Sequence, residues 1–225
     1  KNPKNTSGSY GMVAGKNNIV WSNEPYKGLV EINTLNNNYV RYNSSLFGCS
    51  PNDDCFYVIA VDAQGNVLMT NWVSGLLQKF DINTHLPSYF PVTSGAGARR
   101  TLRGLTVDKH GNAWTTTWTT GIISKINLTT EKEICTNSGL MDLSGIAVDG
   151  AGNVWGIGTG TINKVPVAGT NDQVYKMNSS TCSLITAVGV GKGPYSYSDT
   201  TGNLVTRLIK NGYWEGLCCG VCYMH

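Results

Sequence analysis

Four copies of one short pattern, Asp-x-x-Gly-Asn, set the architecture that this chain of 225 residues can adopt. The copies lie at residues 62–66, 108–112, 149–153 and 199–203. Successive aspartates are 46, 41 and 50 residues apart (62 to 108, 108 to 149, 149 to 199). Self-similarity at a period of about 40–50 residues is typical of folds that repeat one supersecondary unit.

Each unit contains four short β-rich runs that are separated by turn residues. The chain lacks any run of ten or more residues with the apolar stripe of a helix. Four strands per unit at this period describe one blade of a β-propeller. The sequence therefore predicts an all-β fold, a β-propeller of four-stranded blades with about five units, four of them full and the fifth partial.

The first and last units differ from the other three. In the first unit Ala14 is predicted to stand where the others have the aspartate. The fifth unit begins at Tyr195, and its pattern ends near residue 209. We therefore divide the chain into an N-terminal segment (1–9), propeller repeats (10–210) and a cysteine-rich tail (211–225). A five-bladed ring, a part of a larger ring and an assembly of copies all remain compatible with this count.

The Asp-x-x-Gly-Asn turn is interpreted as structural. Glycine tolerates positive φ in a hairpin loop, and aspartate accepts backbone N–H groups across a turn. A calcium site is the alternative, but each loop offers one carboxylate and Ca²⁺ takes six to eight oxygens. The second strand of three units carries a large aromatic residue that is predicted to pack between neighbouring sheets: Trp21, Trp114 and Trp155.

Two of the units resemble the propeller repeats of the streptogramin-lyase-like and NHL-like families. The matching residues are Gly145-Ile-Ala-Val-Asp149, Gly152-Asn153-Val-Trp155 and Ile162-Asn-Lys-Val165, with Gly104-Leu-Thr-Val-Asp108, Gly111-Asn112-Ala-Trp114 and Ile122-Ile-Ser-Lys-Ile126 in the preceding unit. The resemblance covers residues 10–210 and implies a β-propeller.

For the lyases the resemblance also implies a Mg²⁺-assisted, ring-opening elimination on a cyclic depsipeptide, with histidines and a glutamate at the open face. The three histidines of this chain are His85, His110 and His225, and no two of them fall on equivalent open-face loops. No catalytic residue is therefore carried over.

The composition of the chain argues against a nucleic-acid partner and against a membrane span. Charged residues make up 14% of the chain, against about 25% in typical proteins. A net charge of +3 is too small to indicate a nucleic-acid partner. No apolar run approaches the roughly 18–20 residues that span a bilayer. The first residue is Lys1 rather than Met, which fits a removed secretory signal, so we expect a secreted, extracellular protein.

The seven cysteines suggest disulfides. Cys49 and Cys55 flank a turn-rich loop and could close it. Cys135 and Cys182 hold equivalent places in successive units, where a bridge between neighbours could form. The tail holds the other three, so one cysteine is left over: Cys218, Cys219 and Cys222.

A ligand is expected on the propeller face opposite the Asp-x-x-Gly-Asn turns. That face collects the loops between second and third strands and the connections between blades. The ligand-binding candidates on these segments are Asn23, Glu24, Tyr26, Asn71, Trp72, Arg103, Trp118 and Tyr195. Trp72 and Trp118 lead this set, because exposed rings beside polar groups suit sugar or peptide recognition. Packing of both rings against the neighbouring blade is the alternative.

The predicted function is therefore a secreted, non-catalytic binding or structural propeller with a glycan, peptide or protein ligand, and self-association is a further option. The alternative is a lyase or hydrolase with a divalent metal, Mg²⁺ or Ca²⁺, near the axis beside Glu24 or Asn71. No nucleophile elbow, zinc-protease motif or phosphate-binding loop is present in the sequence. We expect no cofactor, and the enzyme class stays open with the balance against catalysis.

Overall fold

A computed structural model describes residues 8–50, 55–72, 74–92, 102–159, 161–162, 165–166 and 172–191. The described residues form four antiparallel sheets of four strands each. Blade 1 contains β1 (Gly11–Ala14), β2 (Ile19–Glu24), β3 (Gly28–Asn33) and β4 (Tyr39–Asn43). Blade 2 contains β5 (Ile59–Val61), β6 (Val67–Thr70), β7 (Leu76–Phe80) and β8 (Pro87–Pro91). A 3₁₀ turn (Ser44–Phe47) follows blade 1.

Blade 3 contains β9 (Leu102–Val107), β10 (Asn112–Thr117), β11 (Ile123–Asn127) and β12 (Lys132–Asn137). Blade 4 contains β13 (Leu143–Val148), β14 (Val154–Gly158), β17 (Asp172–Met177) and β18 (Leu184–Gly191). The first strands are neighbours in chain order, with β5 beside both β1 and β9, and β13 beside β9. They therefore form the inner side of successive blades, and the predicted β-propeller of four-stranded blades is confirmed.

The third strand of the fourth unit is not the run that matches Ile122–Ile126 of the preceding unit. In that part of the chain, β15 (Thr161–Ile162) pairs with β16 (Val165–Pro166) as a separate two-stranded sheet. The third strand is β17 instead, which pairs with β14 from Val154↔Met177 to Ile157↔Val174. Pro166 lacks the N–H that a central strand must donate, so this run is unsuited to the middle of a sheet.

The degenerate first turn is also shifted by one residue relative to the prediction. Gly15, not Ala14, holds the position of the aspartate, because Gly15 N donates to Ile19 O at 2.8 Å, as Asp108 N does to Asn112 O at 2.9 Å. A Cβ on Gly15 would lie 2.7 Å from Trp21 Nε1. The indole therefore occupies the space that an aspartate side chain would need.

The three complete inner turns within the described residues behave as interpreted from the sequence. In blade 3, Asp108 Oδ1 accepts the backbone N–H groups of His110 and Asn112, each at 2.9 Å. Its other oxygen accepts the indole N–H of Trp114 at 2.9 Å, which the sequence interpretation missed. Burial opposes ionisation, but the hydrogen bonds from Trp114 and Asn112 outweigh it, so the pKa of Asp108 lies below its ordinary value. The copy at residues 199–203 lies outside the described residues.

The outer turns, between third and fourth strands, follow a second repeat. In each turn the N–H of the fifth residue donates to the carbonyl of the first, at 2.8–2.9 Å. The fifth residue has a positive φ of 57–61° in every case. The turns run from Asn33 to Asn37, Asp81 to His85, Asn127 to Glu131 and Asn178 to Cys182.

The core lies between the blades rather than within them. Trp21 packs with Phe80 of blade 2, and Trp114 packs with Ile146 and Tyr175 of blade 4. Trp21 and Trp114 are buried, so their predicted packing between sheets is confirmed. A third cluster joins blades 2 and 3: its members include Leu68, Leu77, Phe90, Leu105 and Ile126.

Both predicted disulfides form. Cys49–Cys55 closes the connection between blades 1 and 2, with Cα atoms 6.2 Å apart. Cys135 on β12 pairs with Cys182 in the outer turn of blade 4, so this bridge ties neighbouring blades together. The three tail cysteines lie outside the described residues. The described part of the chain contains no helix with the length and apolar character needed to cross a membrane.

Candidate functional site

In blades 1, 2 and 3, one residue at the start of the inner strand holds an equivalent position: Tyr10, Tyr57 and Arg103. In each case a side chain at the end of the second strand accepts the N–H of the residue that follows. The acceptors are Asn23 Oδ1 at 2.7 Å, Thr70 Oγ1 at 3.1 Å and Thr116 Oγ1 at 2.8 Å. This repeated hydrogen bond places Tyr10, Tyr57 and Arg103 in one row on the face away from the inner turns.

Arg103 sits among the aromatic residues of this row. Its guanidinium carbon lies 3.3 Å from the ring centroid of Trp118, 5.7 Å from that of Trp72 and 5.6 Å from that of Tyr57. Its Nε donates to the Tyr57 hydroxyl at 3.1 Å. Tyr57 contacts Trp72 on one side and Tyr10 on the other, with centroids 4.8 and 4.7 Å apart. We call these five residues the aromatic–arginine cluster.

The charge of the cluster is buried while its outer rings are reachable. Arg103 is 8% exposed and Tyr57 9%, whereas Tyr10, Trp72 and Trp118 are each partly exposed. A guanidinium stacked on a ring away from water gains about 2 kcal/mol from the ring quadrupole. The cluster therefore presents rigid ring surface backed by a fixed positive charge.

Tight turns hold the two tryptophans in place. In the β10–β11 turn, Thr117 N donates to Ile122 O at 3.0 Å, and the Thr117 and Thr120 hydroxyls are 2.6 Å apart. Gly121 has a φ of 56°, and a Cβ there would lie 1.9 Å from Leu140 O. The turn that carries Trp72 in blade 2 is closed in the same way, from Asn71 N to Leu76 O at 2.9 Å.

The structure thus brings together three of the predicted candidates, Trp72, Arg103 and Trp118. It adds two residues that the sequence analysis did not select, Tyr10 and Tyr57. Alignment of the units could have found them, because both occupy the repeat position of Arg103.

Two other candidates are buried and serve the scaffold. Asn23 is fully buried, accepts the N–H of Gly11 at 2.7 Å and donates to Tyr57 O at 3.1 Å, so it joins blade 1 to blade 2. Asn71 is 4% exposed, and its Oδ1 accepts the N–H of Ser74 at 2.8 Å within its own turn. Both amides are therefore bonded within the scaffold.

The remaining candidates are two residues of blade 1, Glu24 and Tyr26, and one residue outside the described part of the chain. Glu24 forms an ion pair with Arg41, with Oε2 2.9 Å from Nε. Tyr26 is partly buried in the β2–β3 turn, where Lys27 N donates to Glu24 O at 3.0 Å. Tyr195 lies outside the described residues.

The described residues do not fit the Mg²⁺ that the lyase resemblance implies. The Glu24 carboxylate is taken up by Arg41, and the Asn71 amide by its own turn. His85 stacks on Phe80 in an outer turn, and His110 lies in an inner turn. Within the described ranges, no three His, Cys, Asp or Glu side chains are grouped so as to hold a metal ion. We therefore derive no reaction step through Mg²⁺.

Solved structures with a similar fold include two lyases. A streptogramin B lyase shares 13% identity at a TM-score of 0.62, over 82% of this chain and 55% of the lyase. A virginiamycin B lyase from Staphylococcus aureus shares 14% identity at a TM-score of 0.65, over 87% of this chain and 60% of the lyase. The chain therefore spans about 55–60% of the length of these lyases.

A second group of similar structures consists of sensor proteins. The extracellular domain of a hybrid two-component system from B. thetaiotaomicron shares 16% identity at a TM-score of 0.60, over 90% of this chain and 26% of that one. No protein-family model and no curated protein sequence matches the chain. At these identities the likeness concerns the fold, so the chain is a β-propeller similar in structure to the streptogramin B lyases and to these extracellular sensor domains.

Proposed function

We propose that this protein is an extracellular binding module that holds a glycan or peptide on the aromatic–arginine cluster. The observation that carries the proposal is the convergence of Tyr10, Tyr57, Trp72, Arg103 and Trp118 from three blades onto one face. Three blades contribute to the surface, so its shape depends on the assembled propeller and not on one loop.

The chemistry of the cluster suits a ligand with flat or ring-shaped apolar surface. Partly exposed indole and phenol rings supply contact area at a low cost in side-chain entropy, because they are already packed against one another. Arg103 adds a fixed positive charge beneath them. Sugar rings and aromatic or proline-rich peptides both present the surface that such a site binds.

Three observations support an extracellular location. Two disulfides form within the described residues, and disulfides persist in oxidising compartments. The content of charged residues is low, at 14%. Several of the similar structures are extracellular domains of sensor systems.

The proposal is tested by screening glycan and peptide arrays with the full chain, followed by calorimetry on the best ligand. Trp118→Ala removes the ring that stacks on Arg103 and is expected to weaken binding at least about tenfold, as truncation of a central aromatic commonly does. Tyr39→Ala removes a 65% exposed ring from β4 on the outer side of blade 1 and serves as the matched control. Equal affinity of both variants, or silence on both arrays, would contradict the proposal.

The lyase alternative rests on fold similarity, and one of the similar structures is a virginiamycin B lyase variant with quinupristin. Incubating the full chain with a streptogramin B and Mg²⁺, with product analysis by mass spectrometry, decides between the two. Turnover by the wild-type chain that survives Trp118→Ala would replace the binding proposal with an enzymatic one.

A further inference from the structure

Blades 3 and 4 meet through a contact that is centred on one tryptophan. We call the side of a blade that faces the next blade its trailing face, and the opposite side its leading face. On the trailing face of blade 3, Trp114 lies opposite Lys125 across β10 and β11, with Nζ 5.4 Å from the ring centroid. Ile146 and Tyr175 of blade 4 cover Trp114, which is fully buried.

A lysine on the third strand reaches across two of the three described contacts between blades, whereas blade 1 has Glu31 opposite Trp21. Lys79 Nζ of blade 2 donates to Leu128 O in the outer turn of blade 3 at 3.5 Å. Lys125 Nζ of blade 3 donates to Ser179 O in the outer turn of blade 4 at 2.8 Å. Leu128 and Ser179 hold the same second position in their turns. The lysine therefore acts as a repeated latch onto the outer turn of the following blade.

Blade 4 carries the same set of groups on its own trailing face. Trp155 lies opposite Lys176 across β14 and β17, with Nζ 5.3 Å from the ring centroid. Trp155 Nε1 donates to Asp149 Oδ2 at 2.9 Å, which is the same bond that Trp114 makes to Asp108. The tryptophan, the aspartate and the lysine of the inter-blade contact are thus all in place.

The trailing faces of blades 3 and 4 differ in how far their apolar side chains are buried. Ile123 and Trp114 on the trailing face of blade 3 are fully buried. Val174, in the place of Ile123, and Trp155 are partly exposed. All eight residues of β18 are exposed, and Val188 on this face is 49% exposed. Among the described residues, nothing covers this apolar face as blade 4 covers blade 3.

We propose that the trailing face of blade 4 is a docking surface for a further blade, and that its occupant is the segment of this chain that begins at Tyr195. Only Lys192, Gly193 and Pro194 separate that segment from the end of β18, and it repeats the Asp-x-x-Gly-Asn pattern at residues 199–203. Leu204 holds the repeat position of Ala113 and Val154, whose side chains pack on the preceding blade. An apolar residue therefore stands at the repeat position that packs on the preceding blade, and Lys176 holds the place from which Lys125 reaches the following blade.

The test is hydroxyl-radical footprinting of the full-length monomer, read out by mass spectrometry at each tryptophan. Trp155 is expected to be protected to the same degree as Trp114. Leu204→Asp is expected to raise the labelling of Trp155 about fivefold by opening this contact locally, with Trp114 unchanged. The matched control is Val205→Asp, at the repeat position of Trp114 and Trp155, whose side chains lie on the trailing face of their blades; this change is expected to leave Trp155 protected.

Three results would overturn the proposal. Full labelling of Trp155 in the wild-type monomer would show that no blade covers it. Protection that disappears on dilution, together with a dimeric mass in light scattering, would assign the face to a second copy. Protection that persists in Leu204→Asp would show that another part of the chain is the occupant.

Discussion

The inner turn of blade 3 makes a sharp prediction about stability, through the substitution Asp108→Asn. The Asp108 carboxylate accepts the indole N–H of Trp114 at 2.9 Å and the side-chain amide of Asn112 at 3.0 Å through the same oxygen. An asparagine side chain has one acceptor oxygen and one N–H₂ group. Its N–H₂ group must therefore face either the backbone N–H groups of the turn or the indole N–H of Trp114, and it can accept from neither. Trp114 is fully buried, so its indole N–H has no water to replace the lost partner.

The magnitude follows from the bonds that are lost. Hydrogen bonds to a charged group contribute about 1.5–3 kcal/mol each, and a buried donor left without a partner costs about 1–3 kcal/mol. We therefore expect Asp108→Asn to lower the free energy of unfolding by about 2–4 kcal/mol. For a chain of this size each kcal/mol corresponds to about 2–4 °C in Tm. Asp149→Asn, at a turn whose Trp155 is partly exposed, is the matched control and should cost less.

The same carboxylate predicts a dependence on pH. The folded state holds the pKa of Asp108 below its ordinary value. Its stabilisation is therefore complete above the unfolded-state pKa of about 4 and is lost as the pH falls toward the folded-state pKa. Urea unfolding between about pH 5 and pH 3 should show a smaller loss of stability in Asp108→Asn than in the wild type. A variant with unchanged stability and the same acid sensitivity as the wild type would refute this account of the turn.

Three further predictions concern the backbone and the disulfides. Glu131→Gly should stabilise the protein by about 1 kcal/mol in thermal unfolding, because Glu131 holds a φ of 59° that glycine adopts freely; an unchanged or lower Tm would refute this. Gly121→Ala should lower Tm and weaken ligand binding together, since the new Cβ would meet Leu140 O and displace the turn that carries Trp118; normal binding at the wild-type Tm would contradict it. Replacing Cys135 and Cys182 with serine should cost about 2–4 kcal/mol in urea unfolding, because the bridge closes a long loop between blades; a cost below about 0.5 kcal/mol would show that packing alone joins blades 3 and 4.

The repeat pattern made the architecture predictable. A fixed spacing of turn residues with short apolar runs between them leaves few alternatives to a propeller. The inner turns, the two disulfides and the packing of Trp21 and Trp114 between blades followed from it. The order of strands in blade 4 was not predicted, because Ile162-Asn-Lys-Val165 matches the third-strand pattern locally although it is not the third strand. Pairing with β14 depends on the whole run from Asp172 to Met177, which lies further along the chain.

The outer turns were missed for a different reason. Their fifth residue adopts a positive φ, yet it is Asn37, His85, Glu131 and Cys182 in turn. The first residue fixes this geometry, because its carbonyl and its side-chain oxygen both accept backbone N–H groups of the turn. That residue is Asn or Asp in all four turns, so the sequence marks the first position and not the fifth.

The candidate site was only partly predictable. Loop position identified Trp72, Arg103 and Trp118, but it also selected Asn23 and Asn71, whose amides are buried and bonded to the backbone. A polar residue at a loop end can serve the ligand or the scaffold, and the sequence does not distinguish the two. The packing of neighbouring blades distinguishes the two roles, because it buries the amide of Asn23 and leaves the rings of Trp72 and Trp118 partly exposed.

The most direct test of the proposed binding face is a nuclear magnetic resonance titration that follows the indole N–H signals of the tryptophans as the best array ligand is added. Binding at the aromatic–arginine cluster should shift the signals of Trp72 and Trp118 and leave that of Trp114 unchanged, because the Trp114 N–H is bonded to Asp108 in the inner turn on the opposite face. Shifts at Trp114 with none at Trp72 and Trp118 would place the ligand on the other face and contradict the proposal.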